Sequence, residues 1–331
     1  MPGAPTSWSP VITTPAPHLP LSVWPTAQRT ARTQRTGRYL PLSTEHPAKM
    51  LPAIARQAIA AYTQPGDLVL DPMCGIGTTL VEAIHLGRDA VGVEYEPRWA
   101  QLAGANLRLA RQHGAPGHGE VVDGDARHLP GVVDPAIRGL VALVLTSPPY
   151  GASLHGQVSA TPGAGVTKSH YKYSTDPANL AHAGHHALLE GMVQILTGCT
   201  RLLRPGGIVA MTVRPYRYRG TLVDLPGAMI GAGQRAGLTP LERNVALLAG
   251  LRGDQLIPRA SFFALEQVRR ARANNTPLHV IAHEDLLVFR VSPSSGSSGQ
   301  PKDVQRESES SPRSFSSPVA GVGGQAVGGA S

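Results

Sequence analysis

The chain has 331 residues, 41% of them hydrophobic, enough apolar material for one large domain or two small ones. Its formal net charge of +8 suits a polyanionic partner, with non-specific basicity as the plainer alternative. Only two cysteines occur, Cys74 and Cys199, without metal-type spacing. That argues against a disulfide scaffold or a cysteine metal site and leads us to expect a reduced, cytoplasmic setting. No apolar run reaches the roughly 18 residues of a membrane span, and the amino terminus lacks the apolar core of an export signal, so neither is expected.

In chain order, residues 1–37 are rich in Pro, Thr and Ser and are expected to form a disordered basic arm. Arg29, Arg32, Arg35 and Arg38 recur there at a spacing of three, suiting either a solvated face or contact with nucleic-acid phosphates. A helix is expected over Ala48–Tyr62, then a buried strand over Leu68–Leu70. A helix from Thr78 to Leu86, a strand over Ala90–Val93 and a helix from Pro97 to Gly114 follow. Val121–Val122 and Leu140–Leu145 read as the next strands. A long helix is expected from Pro177 to Leu203, ending at Pro205-Gly206-Gly207, then a strand over Ile208–Val213 and a helix over Leu225–Arg235. Asn244–Leu248 and Asp285–Val291 read as a closing strand pair, with loop-like sequence between Leu251 and Pro277. From residue 293 onward Ser and Gly dominate, and a disordered tail is expected. Alternating strands and helices of this kind give a doubly wound, mostly parallel sheet of seven strands.

Two stretches carry chemistry. Asp71-Pro72-Met73-Cys74-Gly75-Ile76-Gly77-Thr78-Thr79 leaves one strand and opens a helix. Its glycines permit close approach of the backbone to a ligand. Glu94, at the tip of the next strand, suits a carboxylate gripping a ribose diol. Only Gly-Ile-Gly is present and no third glycine follows, so an adenosine with an amino-acid tail fits better than a pyrophosphate. The second stretch is Ser147-Pro148-Pro149-Tyr150. Two prolines end the strand at its carboxyl edge, where open α/β sheets bind ligands. A hydroxyl, a carbonyl and an aromatic face delivered together suit a flat base with an exocyclic amine.

Together these stretches resemble the S-adenosylmethionine-dependent DNA amino-methyltransferases, which modify cytosine-N4 or adenine-N6. His46-Pro47-Ala48-Lys49-Met50 is similar to their cofactor-methionine segment, and His283–Arg290 to their closing strand. The resemblance spans roughly residues 38–292, in one of the family's circularly permuted orders, with the cofactor segment ahead of Ser-Pro-Pro-Tyr. It implies a Rossmann-like class I methyltransferase domain whose final strand pair is antiparallel.

By the same resemblance, Asp71, Gly75 and Gly77 would cradle the cofactor, with Met73, Thr78 and Thr79 in the same turn. Glu94 would hold the ribose hydroxyls with Tyr95 beside it, and Asp125 would meet the adenine amine. His46 and Lys49 would lie near the methionine moiety. Ser147 and Pro148 would hold the target amine, Pro149 shaping the turn, and Tyr150 would stack on the flipped base. Serine at 147, where other members carry Asp or Asn, favours cytosine over adenine. No cysteine adjoins the Pro-Pro turn, which argues against carbon-5 methylation.

Arg214-Pro215-Tyr216-Arg217-Tyr218-Arg219 interleaves cations and rings after the Ile208–Val213 strand. With Arg35 and Arg38, we expect Arg214, Arg217 and Arg219 to contact nucleic acid. His182, His185, His186 and Glu190 have helical spacing that suits an amphipathic surface rather than a metal site. DNA is the expected partner; neither a metal nor a membrane is. A restriction-modification setting is expected, though the sequence reveals no endonuclease partner. The runner-up is an RNA methyltransferase acting on a guanine amine, which Asp-Pro-Met-Cys-Gly also resembles. A third reading is a nucleic-acid binder without catalysis.

Overall fold

The structure is a computed structural model, and it describes residues 19–150, 157–161, 165–169, 174, 176–218, 220–260 and 262–291. The expected tail, residues 1–18 of the expected amino-terminal arm and Arg219 lie outside the described residues.

Eight strands form the main sheet: β1 (Val23–Trp24), β2 (Leu68–Asp71), β3 (Asp89–Glu94), β4 (Gly119–Asp123), β5 (Val141–Thr146), β6 (Leu203–Val213), β7 (Leu238–Leu247) and β8 (His283–Val291). Their order across the sheet is β1-β7-β8-β6-β5-β2-β3-β4. β4, β3, β2, β5 and β6 pair in parallel, and β8 inserts antiparallel between β6 and β7. This is the doubly wound class I methyltransferase sheet, with one strand more than expected. The addition is β1, which pairs in parallel with Val245 and Ala246 on the outer edge.

Alternate side chains of the buried strands go to opposite faces, as a parallel sheet covered on both sides requires. Leu143, Leu145, Leu286 and Val288 pack with Ile54, Ile59, Leu80 and Ile84, under helices α2 (Pro52–Tyr62), α3 (Thr78–His85) and α4 (Pro97–Gln112). Val144, Val209, Met211 and Phe289 pack with Leu188, Met192, Ile195 and Met229 on the other face, under α5 (His185–Thr200) and α6 (Leu225–Arg235). Numbered in chain order, α1 (Ala31–Arg35) precedes these helices and α7 (Phe262–Ala273) follows them.

Several boundaries differ from expectation for local reasons. α2 starts at Pro52 rather than Ala48, because a proline at the first helical position restricts the residue before it to extended backbone. α5 begins at His185, and Leu180–His182 is a separate 3-10 turn capped by the Asn179 side chain. β6 absorbs Pro205-Gly206-Gly207: the register against β5 slips between Val141 and Leu143, and Gly206 takes φ of 75°. The span expected to be a loop holds a hairpin, Ala249–Arg252 with Gln255–Pro258, followed by α7.

The largest correction concerns residues 19–37. They are folded onto the domain instead of forming a free arm. Trp24 is buried at the sheet edge. Thr30 caps α1, and Arg35, also buried, donates from Nη2 to the Met50 carbonyl at 2.6 Å. Arg38 then forms a bidentate pair with Glu82, at 2.7 Å on each oxygen. Glu82 is fully buried in α3 and also accepts from the Tyr39 hydroxyl at 2.7 Å and from Arg56 at 3.3 Å. Arg35 and Arg38 are therefore internal ties, not the nucleic-acid contacts expected of them. Just beyond, Asn106 of α4 accepts from the Leu40 N–H at 2.9 Å and donates to the Ile76 carbonyl at 2.9 Å.

Candidate active site

The carboxyl edge of the sheet opens into a cavity of about 1080 Å³. Its wall draws on nearly every strand that ends there: Asp71 from β2, Glu94 from β3, Asp125 after β4, Ser147–Tyr150 after β5, Arg214–Arg217 after β6 and Glu284 from β8. His46, Lys49, Met73, Gly75, Thr78, Thr79 and Tyr95 line it too. The sequence-derived cofactor residues thus converge on one cavity, except that Gly77 is not in its lining.

The turn between β2 and α3 owes its shape to two left-handed glycines. Gly75 has φ of 54° and Gly77, at the N-cap of α3, has φ of 79°. A Cβ on Gly77 would stand 3.2 Å from Ala103 of α4, and one on Gly75 would stand 3.0 Å from Nε2 of His46. His46 therefore closes the turn from below. It is buried, its ring lies 4.7 Å from that of Trp99, and its Nδ1 accepts from the Ala48 N–H. Burial, with Lys49 nearby, holds its pKa well below the usual imidazole value.

Glu94 is buried and grips the same turn. One oxygen accepts from the Gly75 N–H at 2.7 Å, the other from the Glu96 N–H at 2.9 Å. A carboxylate has acceptor capacity beyond these two bonds. Asp71, also buried, accepts from the Thr79 hydroxyl at 2.6 Å and from the Met73 N–H at 3.1 Å. Burial pushes its pKa up to about 6 against those hydrogen bonds. Lys49 donates to the carbonyls of Thr44 and His46, and burial and the nearby Arg35 bring its pKa down to about 8.

This donor set fits S-adenosylmethionine. A buried carboxylate at the β2 tip suits a cationic amino-acid head, and one at the β3 tip suits a ribose diol. The glycine turn would be obstructed by a side chain at 75. Asp125 is more committed than expected: its oxygens accept from the Arg127 side chain at 2.6–3.0 Å and from its N–H at 2.9 Å. Any contact with an adenine amine is shared with that clamp. The Tyr95 hydroxyl donates to Asp176, and the Asn179 amide donates to Glu96 at 2.8 Å.

The pH dependence of cofactor binding follows from Asp71. Below about pH 6 its carboxyl is neutral and no longer attracts an ammonium group. By calorimetry, S-adenosylmethionine affinity should fall as pH drops from 7 to 5, whereas Asp71→Asn should bind more weakly throughout and without that slope. Equal slopes in both proteins would remove Asp71 from the role.

On the other side of the cavity, Ser147 is half-buried and Pro148 buried. The Tyr150 ring meets Tyr216 edge to face at 6.1 Å, and the Arg214 guanidinium lies 5.6 Å from its centroid. Arg214, expected on a phosphate-contacting loop, lines the cavity itself. Arg217 lines it as well and donates to the His279 carbonyl at 3.4 Å. Thr212 and Glu284, neither singled out from sequence, complete this side. The signal for Glu284 was its place at the start of the closing strand, two residues ahead of the apolar run that begins at Leu286. Elsewhere, Glu190 is paired with Arg235 at 2.7 Å, and among the described residues no three His, Cys, Asp or Glu side chains are gathered as a metal site. No helix among them is long and apolar enough to cross a membrane.

Comparison with known proteins agrees with this geometry. A family model described as DNA methylase matches residues 5–104, which include the glycine turn and Glu94. The tRNA (guanine(10)-N2)-dimethyltransferase of Methanothermobacter thermautotrophicus is 30% identical over 158 residues, covering 45% of this chain and 42% of that protein. The type II methyltransferase M.BglI of Bacillus subtilis is 40% identical over 63 residues, covering 19% of this chain and 18% of that protein. The chain thus spans less than half the length of the curated relatives it matches. Among solved structures, TrmN from Thermus thermophilus aligns with a TM-score of 0.44 at 17% identity, over 76% of this chain and 52% of that one. Residues 5–104 thus match the DNA methylase family, on a sheet of the class I S-adenosylmethionine-dependent methyltransferase fold.

Proposed function

We propose that the protein methylates the exocyclic amine of a base in DNA, cytosine-N4 ahead of adenine-N6. One observation carries this reading: Ser147-Pro148-Pro149-Tyr150 and the Asp71–Gly75–Glu94 cofactor cradle line the same cavity. S-adenosylmethionine, when bound, supplies a methyl group already activated on a sulfonium.

The chain's own residues then have a positioning task. An exocyclic amine is a poor nucleophile because its lone pair is delocalised into the ring. Ser147 Oγ and the Pro148 carbonyl would accept its hydrogens and favour a pyramidal nitrogen. The Tyr150 ring would hold the base plane, backed by Tyr216 and Arg214. Near-attack placement of this kind supplies on the order of 7–11 kcal/mol, so no covalent intermediate is required. The exposed Arg29 and Arg32, rather than Arg35 and Arg38, are left to meet phosphates.

A second reading has a specific observation in its favour. The alignment to a tRNA (guanine(10)-N2)-dimethyltransferase runs over 158 residues, against 63 for the type II methyltransferase M.BglI. The two separate in one experiment: incubation with labelled cofactor and either amplified, unmethylated genomic DNA or total RNA, then mass spectrometry of the digested nucleosides. N4-methylcytosine in DNA is the expected product, and N6-methyladenine would correct only the base. Methylated guanine in RNA alone would replace this reading with the second one.

A further inference from the structure

Glu284 sits in the cavity wall beside the Ser147–Tyr150 turn. It lies on β8 opposite Ala246 of β7, and its neighbour Asp285 pairs in register with Val213, the residue before Arg214. The closing strand runs antiparallel to the rest, which brings its first residues to the carboxyl edge instead of away from it. Among the described residues none makes a hydrogen bond to the Glu284 carboxyl. Glu284 is half-buried in that wall, so its carboxyl, not hydrogen-bonded by those residues, is open to a ligand in the cavity.

We propose that Glu284 is the specificity-determining residue of the base pocket, donating a hydrogen bond from its protonated carboxyl to the ring nitrogen next to the target amine. Cytosine N3 and adenine N1 are both acceptors at that position; on its Watson–Crick edge guanine presents the N1–H instead, and thymine has no amine. The charged and titratable groups facing Glu284 are Arg214 and Tyr150; Asp285 adjoins it on its own strand, and Ala246 on the other flank carries no charge. Burial first, and then Asp285, push the Glu284 pKa up against the pull of Arg214. Thr212, whose buried hydroxyl has no hydrogen-bond partner among the described residues, lines the same wall.

The inference rests on the amino-methyltransferase reading, and its test separates the two. The full-length protein, E284Q and E284A are assayed on amplified genomic DNA with S-adenosylmethionine, across pH, with affinity for the cofactor measured alongside. The glutamine amide can donate to the same ring nitrogen without titrating. E284Q should keep kcat/KM within a few-fold of the parent and lose the decline that the parent shows as pH rises through the Glu284 pKa. E284A should lose roughly 10–100-fold, as expected for one hydrogen bond to a buried polar group. All three should bind the cofactor alike, which shows that the variants are folded. The inference is overturned if E284Q is as impaired as E284A, if the parent's activity instead rises through that titration, or if the product is a methylated guanine. A parent that binds cofactor yet methylates no nucleic acid would bring down the functional reading, and this inference with it.

Discussion

Glu94→Ala should bind S-adenosylmethionine at least 100-fold more weakly than the parent. The side chain does two things at once in the apo protein, holding the Gly75 N–H at 2.7 Å and the Glu96 N–H at 2.9 Å. Each hydrogen bond to a charged group contributes about 1.5–3 kcal/mol, and the ribose contacts proposed for the same carboxylate would be lost as well. A combined loss of about 3–5 kcal/mol corresponds to roughly 100- to several-thousand-fold in affinity. Isothermal calorimetry measures it directly, and a thermal melt verifies that the variant remains folded. Affinity within threefold of the parent would show that Glu94 shapes the turn without holding cofactor.

Tyr150→Ala should show the reverse pattern, with cofactor affinity nearly unchanged and methyl transfer reduced about 100-fold or more. Removing a ring that stacks on a base costs about 1–3 kcal/mol in binding. Slack in the base plane then erodes near-attack alignment further. Tyr150→Phe should retain most activity, since the ring face is kept. Single-turnover rates at saturating DNA separate this loss from weak substrate binding. Transfer within twofold of the parent in Tyr150→Ala would place the base elsewhere. Loss of cofactor affinity equal to that of Glu94→Ala would mean that both substitutions disturb the fold rather than separate roles.

The residues that gather at the carboxyl edge were legible from sequence because each part announces itself locally. A buried strand, a glycine turn and a helix fall in order at Asp71–Thr79, and two prolines stop a strand at Pro148. Helices α3, α4 and α6 fell close to their expected bounds for the same reason. What sequence did not show depends on distant partners. Composition marked residues 19–37 as an arm because they are polar and proline-rich. Yet Trp24 finds a sheet edge over two hundred residues away at Ala246, and Arg38 finds a buried carboxylate on α3. A regular arginine spacing looks the same whether its members face phosphates or a single glutamate. Asp125 is a similar case: its partner Arg127 is two residues on, but only the folded turn brings both oxygens onto the guanidinium.

The segment from Trp24 to His46 acts as a strap across the back of the domain. It is pinned to the sheet edge by Trp24, to Met50 by Arg35, to α3 by Arg38 and Tyr39, and to α4 by Leu40. It ends with the His46 ring pressed under Gly75. A chain trimmed to begin at residue 38, the boundary that composition alone suggests, would keep every proposed cofactor residue and still lose the first two pins. The floor beneath the glycine turn would then be anchored upstream through Arg38, Tyr39 and Leu40 but no longer through Trp24 and Arg35, so the domain as a ligand-binding unit starts near residue 22, well upstream of its first chemical group.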